Sequence, residues 1–309
     1  MIFNVDPSQI EKLDSNQLVE LLKKLLHAEA QNAGISLRGV SVPLQITIPD
    51  GGEDARISWQ GGLEQTDYLP SRFCIFQSKA TKAANMGPAE WKKEVWTKFS
   101  QKKDAAIREL NDAVKKVIAE NGSYIGFTTA ILVGSKKEAR IKGIKEGIQE
   151  AGANPNLLKA IDIYDANKIA EWVSEHPAVA VWLNEKQSGL TLRGFQTLKR
   201  LSEKRDIASI LQVEDKGSRF SIGSENVTLK NSSITFDRAK ERIVDDLSEP
   251  RKTIRVIGSS GVGKTRFVYE LLRDETTIAK VALATSAIYC DFRDIGIQIF
   301  EIIQSFSEA

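Results

Sequence analysis

The spacing of apolar residues at the start of the chain predicts one amphipathic helix followed by a strand. The leucines within residues 18–26 recur at the three- and four-residue spacing of a single helix face. Asp14 or Ser15 in front of them is a good N-cap, and Gly34 behind them is a suitable stop. Apolar residues then alternate with others over residues 40–48, which is the period of a half-buried strand.

The next part of the chain alternates short apolar runs with longer amphipathic runs, which is typical of strands and helices in turn. Up to about residue 185 the pattern predicts a cluster of strands flanked by helices, an α/β or α+β domain. The predicted strands are 55–59, 72–78, 124–134 and 159–165, and the predicted helices are 88–120 (one long helix or two), 136–152 and 167–176.

The second part of the chain begins with residues that are poorer in large apolar side chains. We interpret residues 186–230 as a linker with a small strand near 219–222. A helix, a β-branched strand over 253–258, a glycine-rich loop and another helix follow, with a further strand region at 281–291. The predicted domains are therefore 1–185 and 231–309, joined by the linker.

The overall composition is that of an ordinary globular protein, with 41% apolar residues and 43 Lys and Arg against 41 Asp and Glu in 309 residues. It excludes a disordered tail, a collagen-like fibre and a disulfide scaffold, and the balanced charge argues against a strongly basic nucleic-acid coat. The two cysteines lie far apart in sequence, and with the two histidines they leave too few well-spaced ligands for a zinc ribbon or finger. Because no apolar run has the length of a membrane span and the start does not resemble a signal peptide, we expect a cytoplasmic protein without a membrane partner.

The most specific chemical motif is the glycine-rich loop after the strand predicted at 253–258. Its glycines would let backbone N–H groups cradle phosphate oxygens, and the next helix would add the positive end of its dipole. Lys264 would reach the β- and γ-phosphates of ATP, and Thr265 would bind Mg²⁺. The loop fits G-x-x-x-x-G-K-[ST] in full with Gly258, Ser259, Ser260, Gly261, Val262, Gly263, Lys264 and Thr265.

The acidic residue that holds Mg²⁺ at the end of a later strand in P-loop enzymes has no candidate in this sequence. Only 44 residues follow Thr265, and those after Asp291 predict a helix. We therefore expect residues 231–309 to be the first part of a P-loop NTPase α/β domain, from a truncated or degraded longer protein.

A second motif joins an acidic turn to a strand end. Residues 50–54 are D-G-G-E-D, and after a gap of 22 residues, 77–79 are Q-S-K. If the two segments pair, a carboxylate, the Gln77 amide oxygen and a backbone carbonyl, that of Ser78, make a hard oxygen site suited to Mg²⁺. Lys79 lies on the same strand face as Gln77 and could orient or deprotonate a water, or stabilise charge on a phosphate. Each segment alone is also an ordinary turn or strand exit.

The order D-G-G-x-D then Q-x-K resembles the PD-(D/E)xK nuclease superfamily, in particular its Mrr-type restriction branch, in which Gln replaces the usual acid. The resemblance implies a restriction-endonuclease-like mixed sheet flanked by helices and Mg²⁺-dependent cleavage of DNA. It makes Asp54 the metal-binding aspartate, Gln77 the substituted acid position and Lys79 the catalytic lysine.

The same resemblance, which covers roughly residues 10–135, implies a glutamate on the first helix. Glu20 flanks the leucine stripe and Glu29 lies nearer the helix end, and the sequence leaves both open. Just after the lysine, residues 79–116 contain ten Lys or Arg against five Asp or Glu, with three aromatic residues interleaved. This segment is either a surface that follows a phosphate backbone or a solvated helix face with its aromatics in the core.

A nuclease-like domain followed by a P-loop resembles bacterial antiviral STAND NTPases of the Avs type. This resemblance implies that ATP binding and homo-oligomerisation, to a tetramer in the full-length protein, activate cleavage of double-stranded DNA. It also implies a viral trigger protein that binds a C-terminal sensor, and no such sensor is found in this sequence.

The leading hypothesis is therefore a Mg²⁺-dependent DNA endonuclease. The alternative from a different class is a nucleotide-binding signalling or assembly module whose N-terminal domain binds DNA or partners without cutting. A stand-alone restriction enzyme for modified DNA would need a base-recognition domain, which residues 186–309 do not resemble.

Overall fold

The computed structural model shows two compact units, one comprising residues up to Arg193 and the other Gly194–Asp291. The predicted D-G-G turn at 50–52, the strand residues 44–48 and the centre of the glycine-rich loop lie outside the described part of the chain. The described residues are 3–43, 53–102, 107–188, 195–197, 219–221, 233–247, 254–259, 263–273 and 287–290.

The first unit is an α/β fold built on a mixed five-stranded sheet in the order β1-β2-β3-β4-β5. The first three strands pair antiparallel, and β3, β4 and β5 pair parallel. The two central strands are almost entirely buried, which explains why their sequences are continuous apolar runs. The strands are β1 Val40–Ser41, β2 Ala55–Ser58, β3 Phe73–Lys79, β4 Ser123–Thr128 and β5 Ala160–Tyr164.

Seven helices in the described part of the first unit cover this sheet. The predicted cap of the long first helix is confirmed, because the Asp14 carboxylate accepts the Gln17 backbone N–H at 2.8 Å. No helix among the described residues combines the length and the apolar character needed to cross a membrane. The helices are α1 Pro7–Glu11, α2 Ser15–Asn32, α3 Pro88–Glu94, α4 Asp112–Ala119, α5 Gly134–Glu150, α6 Ala166–Ser174 and α7 Pro177–Ser188.

The two faces of the sheet bury different residues of β3. Phe73 and Ile75 belong to a core that includes residues of α3, α4 and α5. Residues on the opposite face alternate with them, and there the Phe76 ring meets Phe127, which in turn meets Trp172 of α6. By the same alternation, Gln77 and Lys79 share the α3 side of the sheet.

Helix α3 lies directly against α5 because two glycines of α5 face it. A Cβ atom on Gly143 would clash with the Pro88 carbonyl, and one on Gly147 would clash with the Lys92 carbonyl. The Trp96 indole N–H also donates to the Gly147 carbonyl at 2.7 Å. This close packing fixes where the C-terminal end of α3 lies over the sheet.

Of the two alternatives predicted for residues 88–120, two helices are confirmed, and a loop separates them, since Asn111 caps a new helix by accepting the Val114 N–H at 2.9 Å. Two other sequence predictions about this unit need correction. The predicted strand 124–134 stops at Thr128. Pro177 does not only end one helix but also begins α7, where its missing N–H costs nothing.

The second unit contains two small antiparallel pairs of strands and two helices in its described part. The strand predicted near 219–222 and the helix after the glycine-rich loop are confirmed. The strand predicted over 253–258 is not, because the described residues 254–259 pair with no described strand. The elements are β6 Phe195–Thr197 paired with β9 Ile288–Cys290, β7 Arg219–Ser221 paired with β8 Ser233–Thr235, α8 Phe236–Leu247 and α9 Lys264–Arg273.

Candidate functional site

The structure brings Asp54, Gln77 and Ser78 together at the end of the central strands. Ala55 pairs with Phe76, so Asp54, just before β2, lies opposite Gln77. The Asp54 Oδ2 atom accepts hydrogen bonds from Gln77 Nε2 at 3.0 Å, from the Ser78 backbone N–H at 2.5 Å and from the Ser78 hydroxyl at 3.0 Å. Hydrogen bonds to an ionised carboxylate are stronger than neutral ones, so Asp54 is held firmly against β3.

The Asp54 carboxylate also orients the amide of Gln77. Because Nε2 donates to the carboxylate, Oε1 must point away from it; the reversed amide would place oxygen against oxygen. Gln77 is only 8% exposed, and its Oε1 has no hydrogen-bond partner among the described residues. A buried polar atom left unpaired costs about 1–3 kcal/mol. A water molecule or a cation beside Oε1 would remove that cost.

The backbone of Ser78 has the orientation that the predicted site requires. The N–H and C=O groups of one strand residue point to the same side of the strand. Since the Ser78 N–H is directed at Asp54, the Ser78 carbonyl points to the same side of β3. It lies past the Ala55–Phe76 pair, at which β2 begins. The carboxylate, the amide oxygen and this carbonyl therefore belong to one local cluster.

Lys79 forms an ion pair that the sequence did not predict. Its Nζ lies 2.8 Å from Glu94 Oε2, and the two side chains are 15% and 24% exposed. Glu94 is the last residue of α3, and its backbone carbonyl accepts the Asn111 side-chain amide at 3.0 Å. The lysine ammonium is thus held on the α3 side of the strand end, two residues beyond Gln77.

Two more buried polar atoms lie in the core on this side of the sheet. The Tyr124 hydroxyl and the Trp91 indole N–H are buried and have no hydrogen-bond partner among the described residues. Burial raises the pKa of Tyr124 well above its ordinary value, and the negative charges of Glu94 and Asp54 raise it further. One hydroxyl therefore lies within electrostatic reach of both carboxylates.

Gly126 makes room for Trp91 beside this cluster. Gly126 pairs with Gln77 across β3 and β4. A Cβ atom on Gly126 would lie 2.8 Å from the Trp91 ring, closer than carbon atoms pack. The indole therefore lies over the backbone of β4 next to Gln77, and only glycine fits beneath it.

The structure does not bring either candidate for the first-helix glutamate to the cluster around Asp54, because both contact other residues. Glu29 is 7% exposed, and its carboxylate accepts the Trp172 indole N–H at 3.0 Å and contacts His176 Nε2 at 3.3 Å. Glu20 pairs with Lys186 of α7 at 3.1 Å. Neither of these contacts involves the cluster around Asp54, so the structure gives no support to a metal ligand from α2.

Replacing Glu29 with glutamine should reduce the stability of the fold. Burial raises the pKa of Glu29, but hydrogen bonds from His176, Thr66 and Trp172 outweigh burial and lower the pKa below its ordinary value. The ionised carboxylate therefore stabilises the fold above the unfolded-state pKa, about 4.3, and this contribution disappears as the pH falls through the lower folded-state pKa. We expect the substitution to cost about 1–3 kcal/mol at pH 7 and less in acid.

Urea unfolding of the wild type and of Glu29→Gln, at pH 7 and at pH 3.5, measures the difference in their free energies of unfolding. Glu20→Gln is the matched control, since its partly exposed ion pair should contribute less than about 1 kcal/mol. A stability difference for Glu29→Gln that grows as the pH falls would contradict the assignment.

The oxygen atoms in the cluster are suited to binding a hard cation, but only a few are available. No group of three or more His, Cys, Asp and Glu side chains that could hold a metal ion exists among the described residues. The available oxygens are the Asp54 carboxylate, the unpartnered Gln77 amide oxygen and the Ser78 carbonyl. Mg²⁺ keeps several of its waters and needs only one or two carboxylates, so this set fits Mg²⁺ and does not fit Zn²⁺.

The described ends of the glycine-rich loop have a geometry that suits phosphate binding. Gly263 has a φ of 84°, a conformation that favours glycine, and α9 begins at the next residue. Lys264 Nζ donates to the carbonyls of Gly258 at 2.8 Å and of Ser259 at 2.7 Å. Thr265 is exposed in the first turn of α9. The remaining predicted residues of the loop, Ser260, Gly261 and Val262, lie outside the described residues.

The aromatic residues of the basic segment after Lys79 divide between the core and the surface. Trp91 and Trp96 are buried, as expected for aromatics in a core. Phe99 is 68% exposed in the loop between α3 and α4, where Lys98 and Lys102 are also exposed. The part of the segment that faces solvent is therefore a loop with basic and aromatic side chains rather than a helix face.

Sequence reasoning missed Glu94 and Tyr124. The only signal for Glu94 was an acid within a basic segment, and Tyr124 reads as part of a buried strand. Neither pattern says which side chain meets the end of β3.

Comparison of the chain with family models, with curated proteins and with solved structures finds no match in any of the three.

Proposed function

We propose that the first unit is a Mg²⁺-dependent endonuclease of the PD-(D/E)xK kind, which hydrolyses phosphodiester bonds of double-stranded DNA. One observation carries the proposal. The buried Gln77 amide oxygen has no partner among the described residues, the nitrogen of the same amide donates to the Asp54 carboxylate, and a lysine follows two residues later on the same face. A carboxylate, a hard oxygen ligand and an ammonium group are the components of metal-assisted phosphodiester hydrolysis.

Each residue of the cluster has a role in this proposal. Asp54, the Gln77 amide oxygen and the Ser78 carbonyl would hold Mg²⁺, which when bound would polarise the phosphate and acidify water. The Lys79 ammonium would stabilise the charge that develops on the phosphate or orient the attacking water. Its ion pair with Glu94 keeps the ammonium in place before substrate binds.

The loop between α3 and α4 supports DNA as the substrate. Lys98 and Lys102 are exposed and can neutralise phosphates, and Phe99 and Ile107 are 68% and 78% exposed. Exposed aromatic and aliphatic side chains between basic residues can stack on or wedge between bases. This loop leads directly out of α3, the helix that carries Glu94.

The wider proposal assigns this nuclease to the effector part of a cytoplasmic antiviral STAND-type protein. ATP binding and homo-oligomerisation, to a tetramer in the full-length protein, would bring nuclease units together on DNA after a C-terminal sensor binds a viral protein. Cleavage of supercoiled plasmid by the full chain with Mg²⁺ and ATP, with and without EDTA, tests the nuclease step. Cleavage that is equal with EDTA, or equal in Asp54→Asn and Lys79→Met variants, would overturn the proposal.

A second function, nucleotide binding, is favoured by the contacts of Lys264. Its ammonium is held by two loop carbonyls at the start of α9, where a phosphate group would replace those carbonyls as its partner. If the first unit cuts no DNA in any assembly state, the chain is better described as a nucleotide-binding signalling or assembly module.

Replacing Lys264 with alanine should weaken ATP binding about 10- to 100-fold, because a hydrogen bond to a charged group contributes about 1.5–3 kcal/mol. Titration of a fluorescent ATP analogue into the full chain with Mg²⁺ measures the affinity. Arg242→Ala is the control, since Arg242 is exposed on α8 and pairs only weakly with Asp246. Equal affinity of the Lys264→Ala variant and the wild type would contradict the assignment.

A further inference from the structure

We propose that the loop between α3 and α4 is a wedge that enters the DNA duplex and separates two stacked base pairs close to the cleaved phosphate. Its consequence is a preference for DNA that unstacks easily. The proposal rests on the nuclease function proposed above and deepens it, because it names the property of the DNA that the protein recognises. The loop residues that carry it are 97–102 and 107–111, which the structure describes.

Both ends of this loop are anchored at the residue that contacts Lys79. Glu94, the last residue of α3, holds the Lys79 ammonium at 2.8 Å, and its backbone carbonyl accepts the side-chain amide of Asn111 at 3.0 Å. Phe99 follows Glu94 by five residues, which span at most about 18 Å when fully extended. That length equals about five base-pair steps of a duplex. DNA bound at Lys79 is therefore within reach of Phe99.

The loop is held in shape by its own polar groups. Across its two limbs the Thr97 N–H donates to the Glu109 carbonyl at 2.9 Å, and the Glu109 N–H donates to the Ser100 hydroxyl at 3.0 Å. The Arg108 guanidinium donates to the Ser100 carbonyl and lies 4.6 Å from the centre of the Trp96 ring. A segment that is already ordered loses little conformational entropy on binding, so this loop is suited to pushing into a partner.

The exposure of side chains in this loop is the reverse of the usual pattern. Ser100 is 1% exposed, whereas the large apolar residues Phe99 and Ile107 are mostly in water. The Ser100 hydroxyl donates to the Ile107 carbonyl at 3.3 Å, so Phe99 and Ile107 lie on facing limbs of the loop. The hydrophobic effect favours burial of such side chains, and apolar groups that an ordered surface leaves exposed mark a site of interaction.

The charges around these two side chains match a polyanion. Lys93, Lys98 and Lys102 are exposed, and residues 95–103 contain three lysines and no acid. The Lys102 Nζ lies 5.8 Å from the centre of the Phe99 ring. DNA presents phosphates outside and an apolar base stack inside. Proteins that kink DNA combine basic residues with Phe, Leu or Ile inserted at a base step, and this loop holds both groups.

A protein surface, including that of a second copy of this chain, is the competing partner. The two explanations differ in how binding depends on the DNA. A wedge has to separate stacked base pairs, so it binds more tightly where a mismatch has already weakened the stack, and it favours the flexible TA and CA steps. A protein contact predicts no dependence on the stacking of the DNA.

The test is binding of the full chain in EDTA to two short duplexes that differ only in one central mismatched base pair. Each duplex carries 2-aminopurine beside that pair, which brightens when it unstacks. We expect the wild type to bind the mismatched duplex about 10-fold more tightly, because the mismatch lowers the cost of unstacking. The double variant Phe99→Ala with Ile107→Ala should bind both duplexes equally and should no longer brighten the matched one.

Two controls separate the wedge from general binding. Leu63→Ala, which shortens an apolar side chain that is 55% exposed outside this loop, should keep the preference. Lys98→Ala should weaken binding to both duplexes by the same factor and lower the salt dependence by about one phosphate contact, with the preference unchanged.

The outcomes separate this proposal from the nuclease function. Equal binding of the two duplexes by the wild type overturns the wedge, and so does a preference that the double variant keeps. A double variant that changes only the oligomeric state in sedimentation also overturns it. Plasmid cleavage with Mg²⁺ without the preference overturns the wedge alone, whereas the preference without cleavage overturns the nuclease function alone. A chain that neither binds nor cuts DNA overturns both.

Discussion

Replacing Asp54 with asparagine is expected to lower Mg²⁺-stimulated cleavage of plasmid DNA by about a thousandfold. Asparagine keeps an oxygen that can accept the Ser78 N–H, but it removes the negative charge next to Gln77. The ion contributes several kcal/mol of charge stabilisation in reactions of this type, and each 1.36 kcal/mol is about tenfold in rate. Initial rates of nicking and linearisation at saturating Mg²⁺ measure the effect.

The control for this substitution is Asp67→Asn, which removes a carboxylate from an exposed position in the loop before β3. It should cut DNA at the wild-type rate. A high concentration of Mg²⁺ should restore little activity to Asp54→Asn, because the lost charge acts in the reaction as well as in binding. If Asp54→Asn cuts at the wild-type rate while its Mn²⁺ affinity is unchanged, the carboxylate has no role in a metal site.

The meeting of Asp54 with Gln77 could be predicted from the sequence, whereas the meeting of Lys79 with Glu94 could not. The first depends on one hairpin-like strand pairing, in which an acidic turn before one strand lies opposite the end of the next. The second depends on where α3 lies over the sheet. That position is set by Gly143 and Gly147 of α5, far along the chain, and local patterns carry no information on such contacts.

The fold shows the same division between local and distant causes. The central strands were predictable because a buried strand is a continuous apolar run, and the cap of α2 was predictable because Asp14 acts within one turn. The sequence left open whether residues 88–120 form one helix or two, and the structure has two. Val95 and Trp96 continue the helical apolar spacing, but the Val95 carbonyl accepts the Asn111 N–H and the helix ends there.

Replacing Lys79 with methionine is expected to reduce DNA cleavage by about 10²- to 10³-fold, the usual effect of removing one group that stabilises charge developing in the reaction. Methionine preserves the apolar stem of lysine and removes the ammonium that contacts Glu94 at 2.8 Å. Unlike Asp54→Asn, this variant should still bind Mn²⁺ with about the wild-type affinity, because Lys79 is not one of the proposed ligands. Cleavage rates and Mn²⁺ titration on the same preparation give both quantities.

The pairing of these two measurements distinguishes a lysine that acts on the phosphate from one that only holds the site together. If Lys79 only holds the site together, Lys79→Met loses Mn²⁺ affinity and thermal stability along with activity. Lys79→Arg, which keeps the ion pair with Glu94, would then restore all three. If Lys79 acts on the phosphate, Lys79→Met loses activity alone, and arginine restores little of it, because the larger planar guanidinium does not place its charge where the compact ammonium does. Lys82→Met removes an exposed charge three residues away. It should leave the Mn²⁺ affinity unchanged and lower the cleavage rate by no more than the loss of one phosphate contact.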